Sequence, residues 1–258
     1  MKAVIHQPYF LPWMGYFSKL VYADKFVVLD NVNFSKRHFI DRVQVINSNG
    51  EPIWIGLNIG EKFKVKCNEI YFEDRNRFEM IIKTLHSAYS KARHFEETIE
   101  EVEKIIRESF LSSEKITNIN LKLIFDLMKL LNLKLPEIIL ASEFSEIENA
   151  TERVIHLLNS TNCDTLITGS GGSLYKHDIQ KISLKGIKIH LQDYYNLHPE
   201  YYQTRRTKLG FVKGLSILDC IFNEGLNKTK NLLLETNCIP KIYNEELLNT
   251  IIYERVKI

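Results

Sequence analysis

The N-terminal segment, residues 1–41, has the pattern of a strand, a loop, a helix and a second strand. An apolar run at residues 3–5 leads through a proline-containing loop into a helical pattern that begins at Pro12, and a second apolar run follows at residues 26–29. Two strands joined by a helix within about thirty residues form a right-handed βαβ unit, which requires a parallel sheet. The sequence therefore predicts an α/β protein with a Rossmann-like parallel sheet.

Polar side chains follow both of these strands. His6 and Gln7 come directly after the first strand, and Asp30 comes after the second. In open α/β sheets the carboxyl ends of the strands border the ligand crevice, so we expect these side chains to lie beside a binding site. Histidine titrates near neutral pH, which makes His6 the candidate general base.

A glycine and several basic residues near this unit favour binding of an anion. Gly15 lies in the first turn of the predicted helix, where it lets either a neighbouring segment or a ligand phosphate approach closely. Lys36, Arg37 and Arg42 follow the second strand among aromatic residues. Cations at this position are suited to capture an anion, and a solvated loop explains them equally well.

Long amphipathic helices are predicted after the N-terminal unit and a β-hairpin with its turn at Asn49-Gly50. Apolar runs at residues 137–141 and 164–168 then predict that strands resume. We therefore expect one α/β domain over residues 1–258, with a helical insertion at about 74–133.

The helical insertion contains one candidate cluster of functional side chains. Lys83, His86 and Tyr89 recur at a spacing of three, which predicts that they share a helix face. That face either points toward the ligand crevice or is a half-exposed surface.

A glycine-rich turn, Gly169-Ser170-Gly171-Gly172, follows the predicted strand at residues 164–168. Backbone N–H groups in such a turn are close together, which suits them to cradle a phosphate. The segment is neither a Walker A motif nor GxGxxG. A plain tight loop remains the alternative interpretation.

Aromatic residues cluster after a further predicted strand at residues 187–191. The cluster contains four tyrosines and two arginines: Tyr194, Tyr195, Tyr201, Tyr202, Arg205 and Arg206. Such a cluster is suited either to stack against a sugar or base or to pack an edge of the fold.

The composition is that of an ordinary soluble globular protein, with 45% apolar and 26% charged residues. The net charge of +2 does not indicate a general nucleic-acid-binding surface. The four cysteines are widely separated and lack ligand spacing, so neither a metal site nor a disulfide framework is expected. The sequence has no signal-peptide pattern and no run of about eighteen apolar residues, so we expect a cytoplasmic protein without membrane insertion.

Two segments carry a resemblance to a known family: HQPYFLPWxGYF at residues 6–17 and DxVxFxKR at residues 30–37. They resemble the WbqC-like family, and residues 83–92, 168–175 and 216–225 extend the similarity over nearly the whole chain. The resemblance implies a role in O-antigen and related surface-polysaccharide biosynthesis. It further implies transfer of an acyl or aminoacyl group, glycine in particular, to an amino sugar.

The first strand, loop and helix are also similar to nucleotidyltransferase-like and pantothenate-synthetase-like folds. In those folds an HxGH motif binds ATP phosphates at the helix N-terminus, whereas this chain has Trp13-Met14-Gly15-Tyr16 there. Both histidines of that motif are missing. Adenylyl transfer would therefore need a substitute such as His6 or Lys36.

These observations lead to the hypothesis of an enzyme that transfers an acyl or aminoacyl group to the amine of a nucleotide-linked amino sugar. His6, Asp30 and Lys36 are the predicted catalytic residues, with Asp30 orienting His6 or binding sugar hydroxyls. The residues predicted to bind substrate or phosphate are Gln7, Tyr9, Trp13, Gly15, Arg37, Arg42, Lys83, Tyr89, Gly169, Ser170, Gly171, Gly172 and Tyr175. The donor is open between an ATP-activated group, a thioester and a charged tRNA, and the charged tRNA is the only nucleic acid expected as a partner.

Two other functional classes stay open. A glycosyltransferase or nucleotidyltransferase could use the same sugar nucleotide, although the sequence has no Asp-x-Asp motif to bind a metal for glycosyl transfer. A non-catalytic binding or scaffolding protein of the same pathway is the third class.

Overall fold

The computed structural model describes residues 1–34, 39–60, 64–74, 76–171, 177–204, 210–235 and 239–243. The strands are β1 (Lys2–His6), β2 (Lys25–Val28), β3 (Arg42–Ile46), β4 (Pro52–Gly56), β5 (Glu137–Leu140), β6 (Thr165–Gly169), β7 (Lys188–Gln192) and β8 (Lys241–Ile242). The helices are α1 (Met14–Val21), α2 (Arg77–Tyr89), α3 (Phe95–Ser112), α4 (Ile116–Leu130), α5 (Ala150–Ser160), α6 (Ile179–Leu184) and α7 (Ile217–Leu233).

The main sheet has six strands in the order β5-β2-β1-β6-β7-β8. Neighbouring strands from β5 to β7 are parallel, and β8 pairs with β7 in antiparallel orientation. In the N-terminal βαβ unit, His6 of β1 lies opposite Val28 of β2. The predicted α/β fold with a mostly parallel sheet is confirmed.

Strand β1 lies between β2 and β6, and this position creates a crevice. From β1 the chain moves outward through β2 to β5 and then returns to form β6 on the opposite side of β1. The connections from β1 and from β6 therefore leave in opposite directions. In sheets of this kind the ligand binds outside the carboxyl ends of the strands at such a reversal.

The sheet separates two apolar cores because successive strand residues point to opposite faces. In β1, Val4 packs with the larger core formed by α1, α7 and the helices α2 to α4, whereas Ala3 packs with α5 and α6. Strand β2 alternates in the same way at Phe26 and Val27.

Helices α2, α3 and α4 follow a two-stranded antiparallel hairpin of β3 and β4 and precede β5. The hairpin turn at Asn49-Gly50 agrees with the sequence, and Gly50 has the positive φ of 81° that its turn requires. The extent of the whole chain as one domain stays a prediction.

The start of α1 differs from the expected position at Pro12. Trp13 is the N-cap residue and has an extended conformation, so the helix begins at Met14. The Pro12 carbonyl accepts a hydrogen bond from the N–H of Ile217 at the start of α7. The segment before α1 therefore packs against another helix end before its own helix begins.

None of the described helices combines the length and hydropathy needed to span a membrane.

Candidate functional site

A cleft of about 290 Å³ opens at the carboxyl ends of β6 and β7, beside the first turn of α1. We call it the central cleft. It is lined by Trp13, Gly15, Lys19, Phe39, Gly169, Ser170, Gly171, Gln192, Tyr194, Tyr195 and Gly214. Five residues of the predicted site meet here although they are far apart in sequence: Trp13, Gly15, Gly169, Ser170 and Gly171.

One wall of the central cleft is aromatic. The Trp13 indole meets the rings of Tyr194 and Tyr195 edge-on, with centroids 5.6 and 6.3 Å away. The Trp13 indole also stacks with the His198 ring, and their centroids are 6.2 Å apart. Burial lowers the pKa of His198 to about 4, so this ring is neutral and supports Trp13 by packing. The wall is suited to stack against a sugar or a base.

Gly15 lets the Trp13 indole fold over the first turn of α1. A Cβ atom at residue 15 would lie 2.7 Å from Cζ2 and Cζ3 of Trp13, which is closer than atoms pack. The close approach expected at this glycine is thus made by an aromatic ring. No side chain of the described residues caps the start of α1, so the positive end of the helix dipole lies at the cleft.

The opposite wall is the turn that follows β6. Ser170 is buried, its N–H donates to the carbonyl of Gln192 at 3.0 Å, and its hydroxyl donates to Asp193. Among the described residues, no atom would lie within 4 Å of a Cβ at Gly171, so this part of the chain leaves the cleft open above it. Gly172 and Tyr175 lie outside the described residues.

Lys19 is a site residue that the sequence interpretation missed. Its side chain is only 8% exposed and borders the central cleft. Burial lowers its pKa to about 8, because desolvation disfavours the charged form. The available signal was a single charge in a crossover helix with the otherwise uncharged sequence MGYFSKLV.

Lys19 also borders a second, smaller cavity of about 20 Å³, whose lining shares no other residue with the central cleft. We call it the inner cavity, and its polar lining residues are His6, Lys19, Thr168 and His177. A cavity of this volume has room for about one water molecule. The structure therefore brings His6, at the end of β1, to the same small space as Lys19.

His6 is held by its neighbours. Its Nδ1 lies 3.0 Å from the carbonyl of Gln7, and its ring meets those of Tyr9 and Tyr16 edge-on at 4.5 and 5.0 Å. The Tyr16 hydroxyl donates to the same Gln7 carbonyl, and the Gln7 side chain donates to Cys67. Burial raises the pKa of Tyr9, so its hydroxyl stays protonated. Gln7 and Tyr9 thus contact His6 itself, and neither residue is among those that line the central cleft.

Asp30 belongs to a separate network beyond the end of β2. Its carboxylate accepts hydrogen bonds from the N–H and hydroxyl of Ser142 at 2.9 and 2.6 Å, and from the Asn68 amide at 3.3 Å. None of these donors is His6. The geometry does not support the predicted role of Asp30 in orienting His6, because its acceptor positions are used to connect β2 with the turn after β5.

A larger cleft of about 400 Å³ lies beyond the ends of β2 and β5. The two cations that line it, Lys66 and Arg153, already have partners within the protein. Lys66 forms an ion pair with Glu146, and Arg153 donates to the carbonyls of residues 147 and 148. We favour the central cleft as the site because it combines an aromatic wall with a buried lysine.

The structure places Lys83 and Tyr89 outside the cleft. Lys83 is exposed on α2, whereas Tyr89 is buried, with its hydroxyl donating to Asp219 at 2.9 Å and accepting from the N–H of Ile46. They do not share a face because two steps of three residues rotate the direction around a helix by about 120°. Tyr89 is therefore a residue of the buried core.

The predicted cations divide into two groups. Arg42 stacks over the Trp54 ring on the hairpin, with its guanidinium carbon 4.5 Å from the ring centroid, and it does not line the central cleft. Lys36 and Arg37 lie outside the described residues, so their predicted roles stay predictions.

No group of side chains in the described ranges has the composition and spacing to hold a metal ion. Cys67, Cys163 and Cys220 are buried free thiols, and Cys238 lies outside the described residues.

Comparison with known proteins places the chain in a family. The model of the WbqC-like protein family matches residues 7–231, a range that contains all residues lining the central cleft. "Uncharacterized protein Rv1507c" of Mycobacterium tuberculosis (strain ATCC 25618 / H37Rv) is 24% identical over 228 residues, which cover 87% of this chain and 94% of that protein. No solved structure is significantly similar to the chain. Since the family match covers most of the sequence, the chain belongs to the WbqC-like protein family.

Proposed function

We propose that the protein is an enzyme of surface-polysaccharide assembly, such as O-antigen biosynthesis. It transfers an acyl or aminoacyl group, for example glycyl, to the amine of a nucleotide-linked amino sugar bound in the central cleft. The observation that carries the proposal is the pairing of an aromatic wall with a glycine-rich turn in one cleft at the strand reversal. Membership of the WbqC-like family supports the polysaccharide context.

The cleft supplies the contacts that a sugar nucleotide needs. The aromatic wall of Trp13, Tyr194 and Tyr195 stacks against the apolar face of a sugar or base ring. Backbone N–H groups of the turn after β6 and the start of α1 bind phosphate oxygens.

Acyl transfer to an amine requires proton removal and stabilisation of a tetrahedral oxyanion. The amine nitrogen attacks the carbonyl carbon of the donor, a C–N bond forms, and the bond to the leaving group breaks. His6 accepts the proton of the amine, through the water for which the inner cavity has room, and returns it to the leaving group. Since the Ser170 N–H already donates to the Gln192 carbonyl, the Gly171 N–H is the donor of this turn toward the oxyanion. The donor is an acyl group activated as a thioester, by ATP or on a charged tRNA.

A panel of ligands tests this proposal by thermal stabilisation. The panel contains UDP- and dTDP-linked amino sugars, ATP, glycine and acyl-CoA. A ligand at a hundred times its dissociation constant should stabilise the protein by about 2.7 kcal/mol, which raises the melting temperature measurably. We expect stabilisation by at least one nucleotide-linked amino sugar.

Two tyrosines provide a matched pair of variants for this experiment. Tyr195 lines the cleft and is 52% exposed, whereas Tyr202 is 45% exposed and stacks under Arg93 away from the lining residues. Tyr195→Ala should reduce the ligand-induced stabilisation, and Tyr202→Ala should leave it unchanged. Stabilisation by ATP alone would favour a nucleotidyltransferase, and no stabilisation by any ligand of the panel would favour a scaffolding protein.

A further inference from the structure

Lys19 is a buried cation without an anionic partner in the part of the chain that the structure describes. Its ammonium group takes part in none of the ion pairs or side-chain hydrogen bonds among these residues. The contact that the structure gives it is the face of the Tyr16 ring, 5.9 Å from Nζ to the centroid. A desolvated ammonium without a counter-ion is unfavourable, so such groups are rare outside functional sites.

The direction of the Lys19 side chain places its charge between β1 and β6, where the direction of the strand order reverses. Helical side chains point back toward the helix N-terminus, and here that direction leads toward the carboxyl ends of the strands. The Nζ atom lies 3.8 Å from the position that a Cβ at Gly169 would occupy, above the last residue of β6. Lys19 borders the central cleft on one side and the inner cavity on the other.

We propose that Lys19 binds an anionic group of the ligand, a phosphate or a carboxylate, at the inner end of the central cleft. This inference rests on the proposed function only in placing the substrate in that cleft, and it holds for any anionic ligand that enters there. It assigns the anion to a residue other than the predicted cations Lys36, Arg37 and Arg42.

The surroundings of Lys19 favour an anion because the described residues that line the central cleft and the inner cavity include no Asp or Glu. Asp193, which is not among these lining residues, accepts the hydrogen bond of the Ser170 hydroxyl. The titratable groups around it in the described part of the chain are Tyr16 on α1, His6 on β1, His177 beside the inner cavity, and Tyr194 and Tyr195 of the aromatic wall. Burial raises the pKa of Tyr16, so this hydroxyl is uncharged, and burial is the cause of the lowered pKa of Lys19. An anion within about 4 Å favours the charged form of the lysine and raises its pKa again. Binding should therefore be accompanied by proton uptake.

Calorimetric titration of the full-length protein with inorganic pyrophosphate measures this proton uptake. The titration is repeated at pH 8.5 in Tris and HEPES, which differ in ionisation enthalpy. With the pKa of Lys19 at about 8, we expect uptake of roughly three-quarters of a proton per bound anion at pH 8.5. The uptake should fall toward zero at pH 6.5. Glucuronate in a parallel titration distinguishes a carboxylate of the ligand from a phosphate.

Three variants separate the charge of Lys19 from its structural contribution. Lys19→Met should weaken pyrophosphate binding at least tenfold and abolish proton uptake. Lys19→Arg keeps a charge that does not titrate, so binding should persist without uptake. Lys104→Met, at an exposed lysine on α3, should behave as wild type.

The outcomes distinguish this inference from the proposed function. Pyrophosphate binding without proton uptake in the wild type, or with equal affinity in Lys19→Met, would overturn the role of Lys19 and leave the sugar-nucleotide proposal standing. Lys19-dependent binding of pyrophosphate together with no response to any nucleotide-linked amino sugar would support the anion site and contradict the proposed substrate. Absence of pyrophosphate and glucuronate binding at millimolar concentration would contradict the inference.

Discussion

At the level of single residues, burial decides the ionisation of Lys19. Lys19 belongs to helix α1, which is buried on nearly all sides. The low polarity around the ammonium group lowers the pKa of Lys19 to about 8. The unfolded chain holds the same lysine in water, where it ionises near 10.4. Below pH 8 the folded protein therefore carries a buried charge that opposes folding.

The stability of the protein should consequently depend on pH at Lys19. Because the folded pKa is lower than the unfolded one, the unfolding free energy rises as pH increases from about 8 toward 10.4. Lys19→Met should be more stable than the wild type by about 3 kcal/mol at pH 7, and this difference should narrow by about 2 kcal/mol by pH 9.5. Urea denaturation at both pH values measures it, with Lys104→Met as the control. A difference that stays constant with pH would contradict the lowered pKa.

At the level of elements, the first turn of α1 is shaped by one aromatic contact. Trp13 is both the N-cap residue of α1 and a wall of the central cleft, and Gly15 provides the space for its ring. The turn after β6 forms the other wall, and in the described part of the chain no atom would contact a Cβ at Gly171 of this turn. Two glycines in one cleft thus have different physical roles.

Alanine substitutions should separate these two roles. Gly15→Ala forces the Trp13 indole to move, so we expect the unfolding free energy to fall by about 1–3 kcal/mol. Gly171→Ala adds a methyl group in open space and should change the unfolding free energy by less than about 0.5 kcal/mol. Denaturant titration measures both, and tryptophan fluorescence should report the displaced indole in Gly15→Ala only. Equal stability of the two variants would contradict the packing described here.

At the level of the whole molecule, a buried network around Asp219 connects segments that are distant in sequence. Its carboxylate accepts hydrogen bonds from Tyr89 of α2, from Tyr201 and from Gln203. Burial raises the pKa of Asp219 to about 6, while these hydrogen bonds act in the opposite direction. The network attaches α2 and the segment after β7 to α7.

Removal of this acceptor should lower the stability of the fold as a whole. Asp219→Ala leaves buried donors without an acceptor, and we expect a loss of about 2–4 kcal/mol in the unfolding free energy. Asp219→Asn keeps an acceptor and cannot ionise. Because the folded pKa of Asp219 is raised, the stability of the wild type relative to Asp219→Asn should fall by about 2 kcal/mol as pH rises from 4 to 7. Denaturation at pH 4 and pH 7 measures this change, and a constant difference would contradict the raised pKa.

The sequence pattern predicts the local units and the edge of the sheet at which the candidate site lies. Apolar periodicity and chain chirality predict the βαβ unit, the parallel sheet and the turn after β6, because these depend on neighbours within a few turns or strands. Trp13, Gly15 and the residues at 169–171 could be predicted for the same reason. His6 was placed correctly at the end of β1, since that position follows from the strand pattern alone.

Which side chains come into contact depends on the tertiary structure. Lys19 and Gly169 are neighbours because β6 returns to the free side of β1, and no local pattern encodes that strand order. The acceptor positions of Asp30 are used by Ser142, more than a hundred residues later. Tyr89 lies in the core because the helical repeat directs its side chain about 120° away from that of Lys83. Such contacts depend on the packing of the whole sheet and its helices, so periodicity does not reveal them.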